Sequence, residues 1–254
     1  MTENGLSSNG LSSNGLSSNG LSSNGLSSNG LSSNGLVANA YVLSALQDPS
    51  AAGSLSRMFF RYLVSCALPN GHSISYNWTD STGAKHTEAN PGSLGLAPAW
   101  ETAAPDQTMK EIVSACLAAR TNSKGISVPI SMRANGIAAL DVSAQERSSY
   151  TYGEGSFWGN IFDTTPYLYS CSRSPYAAGG MSSQYTAQGR TCAANGCGLI
   201  KYIGRCMASD HSTSGQACFN RDKINDDWSD DCFSTMQKGQ TGGATNVITT
   251  WLMP

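Results

Sequence analysis

The sequence predicts an α+β fold: a disulfide-stapled globular domain preceded by a pentapeptide-repeat arm that is either β-solenoid-like or extended. Three observations carry that reading. Segments of helical and of alternating periodicity are interspersed without a regular βαβ beat. Six of the eight cysteines crowd into residues 171–232, and residues 6–35 are six perfect copies of Leu-Ser-Ser-Asn-Gly. The change of composition at Leu36 divides the chain into an arm, 1–36, and a domain, 37–254.

The repeats come first because they constrain geometry most. A five-residue step turns each leucine by about 140° around a helix and onto alternate faces of a flat strand, so neither element gathers the leucines on one side. A solenoid with a corner at each Asn-Gly does, with leucine inward and serine outward. That layout resembles the pentapeptide-repeat quadrilateral β-helix. The other reading is a linker, since everything except leucine is Ser, Asn or Gly. Either way Leu6, Leu11, Leu16, Leu21, Leu26 and Leu31 lack a core of their own, which makes them candidate assembly residues.

Within the domain, Leu36–Gln47 reads as a short helix ended by Asp48-Pro49. Leu55, Met58, Phe59, Tyr62, Leu63 and Cys66 recur at helical spacing behind Ser54 as cap, and Pro69-Asn70-Gly71 stops them. A second helix takes Asp106 as its cap, with Met109, Ile112, Val113, Cys116 and Leu117 on one face. Cys66 and Cys116 thus both point inward, as a bridge or as two buried thiols. Alternation marks strands at 73–78, 126–132, 167–170 and 247–252, and Pro129 argues for an edge strand. Residues 171–243 read as irregular chain held by disulfides.

The cysteines Cys66, Cys116, Cys171, Cys192, Cys197, Cys206, Cys218 and Cys232 are even in number and contain no Cys-x-x-Cys pair, which favours disulfides over zinc. An oxidising compartment, extracellular or at the cell surface, follows. Charged residues make up 13% of the chain with a net charge of −2, so no basic stripe is available for nucleic acid. No window reaches the roughly 18 apolar residues of a membrane span. The N-terminus lacks the layout of a signal peptide, as expected of a mature form with an added Met1.

Tyr150–Asp163 is the densest chemical cluster. Its aromatic residues and glycines could bind a sugar, with Glu154 as general acid and Asp163 as a candidate second carboxylate; otherwise it is an aromatic-rich strand pair closely packed on its glycines. Asp222, Asp226, Asp227 and Asp230 could hold calcium, the one cofactor that the chain admits, or form a solvated acidic loop. The three histidines, His72, His86 and His211, lack the motif context of a hydrolase triad.

The segments Arg61–Leu68, Gly92–Pro98, Val113–Asn122 and Glu154–Asn160, together with the Asn-Gly-Leu repeats, resemble a group of exported, cysteine-containing proteins of myxobacteria-like soil bacteria. That resemblance implies export and disulfides and transfers no catalytic residue. The expected function is an extracellular structural or interaction protein that self-associates through its repeat arm into filaments or surface layers. The alternative is a carbohydrate-active hydrolase or glycan-binding module.

Overall fold

The structure is a computed structural model that describes residues 2–4, 6–7, 31–42, 44–173, 189–207, 215–238 and 240–254. Mixed α and β elements build it. Strands β1 (Thr2–Asn4) and β2 (Leu6–Ser7) come first, followed by helices α1 (Leu36–Val42), α2 (Ser44–Gln47) and α3 (Ala51–Ala67). The helix expected over 36–47 corresponds to α1 and α2, on either side of residue 43, which lies outside the described residues. Helix α3 begins a turn earlier than expected, because Ser50 rather than Ser54 is its cap: the Ser50 side chain accepts from the Ala52 N–H and is itself held by Asp48.

Strands β3 (Ser73–Thr79) and β4 (Lys85–Pro91) form a hairpin. Helix α4 (Gln107–Ala119) is capped by Asp106, whose carboxylate accepts from the Met109 N–H as expected. Then come β5 (Thr121–Asn122), β6 (Val128–Arg133), α5 (Ala144–Ser149), β7 (Tyr152–Asn160) and β8 (Tyr167–Ser172). Helix α6 (Cys192–Asn195), β9 (Ile200–Arg205), β10 (Gln216–Arg221), β11 (Ser229–Gln237) and β12 (Ile248–Leu252) complete the chain order.

The main sheet has the order β1-β6-β12-β7-β8-β9, antiparallel except for the parallel pair β8-β9. Strand β6 is not an edge, as Pro129 suggested, because β1 covers it with Glu3 opposite Pro129. A proline is tolerated there because β1 lays only three residues against the strand.

Alternation along the strands separates two cores. Phe157, Leu168, Ile248 and Ile130 face a large cluster with α3 and α4. Trp158, Cys171 and Val247 face a smaller cluster with the β10-β11 hairpin on the other side. The molecule is thus three layers deep: helices, sheet, hairpin. Close packing of the sheet depends on Gly155, where a Cβ would stand 2.3 Å from the Cys171 carbonyl oxygen.

All eight cysteines are paired: Cys66–Cys116, Cys171–Cys206, Cys192–Cys197 and Cys218–Cys232. The first joins α3 to α4, resolving the choice between bridge and free thiols. The second ties the end of β8 to the end of β9, and the fourth joins facing residues of β10 and β11. The segment expected to be irregular nevertheless contains the regular elements β9, β10, β11 and α6. Its polar strand sequences conceal the alternation that elsewhere marks a strand.

The division at residue 36 also moves. Leu31 and Leu36 are completely buried in the main core, and the Leu31 carbonyl accepts hydrogen bonds from Asn39 (3.0 Å) and Trp100 (3.2 Å). A Cβ on Gly35 would collide with the backbone of Thr102 at 2.3 Å. The sixth repeat is thus part of the domain, and Leu31 is a core residue rather than an assembly residue. Leu6 lies in β2, which pairs in parallel with β5, whereas Leu11, Leu16, Leu21 and Leu26 lie outside the described residues.

Candidate functional site

The side of the sheet that carries the β10-β11 hairpin holds a concentration of charge. Arg133, at the end of β6, points away from the helices and is almost sealed from solvent. It donates to Asp227 (2.7 Å) and to the Tyr150 carbonyl (2.8 Å). Asp227 also accepts from Arg147, through Nε at 3.0 Å and Nη2 at 2.6 Å, in a fork-to-fork arrangement. Burial pulls the Arg133 guanidinium below its ordinary range despite Asp227 beside it. The hydrogen bonds to Asp227 push Arg147 above its own.

Trp251 of β12 lies between two cations. Arg133 stands 4.4 Å and Arg173 5.0 Å from its ring centroid. Its indole N–H donates to the Asp227 carbonyl at 2.8 Å, while Arg173 pairs with Asp226 at 2.6 Å. The loop between β10 and β11 is folded around Asp222, whose carboxylate accepts from the backbone N–H groups of Ile224, Asn225 and Asp227. Burial pushes the Asp222 carboxyl up, but these N–H groups and Arg147 more than offset it, and the net direction is down. A polar cavity of about 300 Å³ opens here, lined among others by Arg133, Asp141, Arg147, Asp222 and Asp227. Substituting Arg147 by Ala should lower the denaturation midpoint, since Asp227 keeps Arg133 but loses its second partner. Chemical denaturation measures it.

Next along the hairpin lies a larger groove of about 640 Å³ between β10, β11, the turn after β6 and residues 240–245. Asn220 and Asp230 face one another across the hairpin. Asp230 is 3% exposed. It accepts from Asn135 at 2.7 Å through Oδ2, while its Oδ1 is buried without a partner. Asp231, in the left-handed region at φ 55°, accepts from the Gly243 N–H at 2.5 Å and so closes one wall.

The four aspartates considered for calcium therefore have separate duties. Asp222 organises its loop, Asp226 and Asp227 pair with arginines, and Asp230 faces the groove. Among the described residues, the group of three metal-ligand atoms lying closest together is that of Cys171, Cys206 and Cys218, all engaged in disulfides.

Glu154 and Asp163 do not come together. The register of β7 against β12 steps from Gly155↔Thr250 to Gly153↔Trp251, leaving Glu154 as the unmatched residue of a bulge. It is buried in an ion pair with Arg190, whose other amino group donates to the Ala119 (3.0 Å) and Thr121 (2.9 Å) carbonyls at the end of α4. Asp163 lies beyond the other end of β7, after roughly 20 Å of strand, where it caps a turn through Thr164 and Thr165. The two-carboxylate arrangement of a glycosidase, with its spacing of roughly 5–10 Å, is not formed by this pair. His72 pairs with Glu101 and His86 with Asp80; His211 lies outside the described residues.

Sequence reasoning missed Arg133, Arg147, Trp251, Asn135 and Asn220. Arg133 carried one signal: it interrupts, as a charged residue at a strand end, the apolar alternation of Val128, Ile130 and Met132.

The fold and the groove define a disulfide-stapled α+β domain with a polar recess on its hairpin side. Among the described residues no helix is long and apolar enough to cross a membrane. The N-terminal segment matches the GLTT repeat family, in six copies over residues 1–27 and 15–39. The chain is thus a repeat-containing protein, the match being confined to its first residues. No curated protein and no solved structure gives a significant match.

Proposed function

We propose that this chain is an exported interaction protein that assembles with copies of itself through its N-terminal segment. The observation that carries the reading is the position of β1. It adds a strand to the edge of the main sheet at β6, and the next described residue packed in the core is Leu31. An edge strand makes the same backbone hydrogen bonds whether it docks on its own domain or on a neighbour's. Residues 8–30 can span at most roughly 80 Å, against a domain about 45 Å across, so the reach suffices for either.

The choice is then one of effective concentration. Covalent connection within one chain presents β1 to its own β6 at roughly millimolar concentration, so exchange between copies requires crowding at a surface or in an assembly. The four disulfides support export, because such bonds persist in oxidising compartments.

The test uses the facing pair Glu3 and Pro129, whose Cα atoms are partners in the register and so within reach of a disulfide. The double variant Glu3→Cys/Pro129→Cys, oxidised and run on non-reducing gels, should give covalent oligomers in proportions that rise with protein concentration. A bond found purely within single chains up to millimolar concentration would sink the proposal. Shortened variants should begin at or before Leu31, since removing Leu31 and Leu36 removes part of the core.

A further inference from the structure

From the groove beside β10 and β11 we infer a binding site for a neutral saccharide, independent of the assembly reading. Seven of its eight lining side chains are amides, carboxylates or hydroxyls, and the eighth is Phe219. This composition separates ligand classes. With a single apolar wall, the groove offers little to a hydrophobic ligand. Asp230 and Asp231 repel phosphates and carboxylates, and among the described residues no Lys, Arg or His lines the groove to offset them.

Vicinal hydroxyl groups suit what remains. An amide donates and accepts at once, a carboxylate oxygen accepts from a hydroxyl, and an aromatic face packs against the C–H side of a sugar ring. Asn220 supplies the amide and Thr245 a hydroxyl, while Phe219, one position along the strand from Asn220, packs edge-on against Phe233 with centroids 5.7 Å apart.

Asp230 is the second, independent sign. One of its oxygens is fixed by Asn135 and the other, though buried, has no hydrogen-bond partner among the described residues. A buried acceptor without a donor is costly, and a sugar hydroxyl is a donor of the right kind. The Cys218–Cys232 disulfide lies two residues from Asn220 and Asp230 on the same pair of strands and holds the groove floor rigid.

The experiment is affinity electrophoresis of the full chain through gels containing soluble cellulose derivatives, xylan, β-glucan, galactomannan or solubilised chitin, together with a glycan array. At least one neutral glycan should retard the protein. Asn220→Ala and Thr245→Val, both at exposed positions, should each weaken that binding roughly tenfold, the loss of about one well-placed hydrogen bond, with unchanged thermal melting. Absence of retardation and of array signal would overturn the inference, as would binding that neither variant weakens. Binding abolished by EDTA and restored by calcium would also overturn it, and would assign Asp230 and Asp231 to a cation instead.

Discussion

Replacing Arg190 with methionine should lower the stability of the fold by about 3–5 kcal/mol, because it leaves the Glu154 carboxylate buried without its partner. Side-chain exposures are 0% for Arg190 and 1% for Glu154, so water cannot take the place of the missing cation. The guanidinium also holds the Ala119 and Thr121 carbonyls at the end of α4, where a positive charge is favourable. Removing both charges, in Glu154→Met/Arg190→Met, should recover much of the loss, since two apolar side chains of similar volume avoid the cost of burying an ion. Urea denaturation with the disulfides intact distinguishes these outcomes. Equal midpoints for the parent and Arg190→Met would show that the pair does not matter to folding.

The second large effect concerns Cys66–Cys116. Its sulfurs are completely buried between α3 and α4, and it closes a sequence separation of 50 residues. Restricting an unfolded loop of that length contributes about 4 kcal/mol, against about 2 kcal/mol for the separation of 5 residues at Cys192–Cys197. Cys66→Ala/Cys116→Ala should therefore lower the denaturation midpoint about twice as far as Cys192→Ala/Cys197→Ala. A reversed order would mean that local geometry rather than chain entropy sets the value of these bonds.

The two long helices were legible because their apolar faces repeat at helical spacing and Asp106 marks an end plainly. Strands β3, β6, β8 and β12 were legible in the sequence. The partner of β3 was not: β4 reads Lys-His-Thr-Glu-Ala-Asn-Pro and buries Asn90 alone, so its place in the hairpin comes from pairing with β3. Strands β10 and β11 were hidden for a related reason. Their polar residues face a groove, and a disulfide across facing positions supplies much of what apolar alternation supplies elsewhere.

The site was harder still. The aspartate run stood out in the sequence, but its division between arginine partners, a loop cap and a groove depends on Arg133, Arg147 and Arg173. These arrive from β6, α5 and the end of β8, far away along the chain. Glu154 shows the converse. Its aromatic surroundings suggested a sugar platform, whereas a one-residue bulge turns it toward Arg190.

The placement of β12 bears on how the protein is made. The last strand in chain order fills a central position of the sheet, between β6 and β7. Until Ile248–Leu252 is in place, β6 and β7 have no shared neighbour and the sheet stays open in two halves. Both of its pairings join residues far apart along the chain, and such non-local contacts form slowly because a long loop must be closed before they contribute. The halves of the sheet are therefore united late, by the last of the described strands.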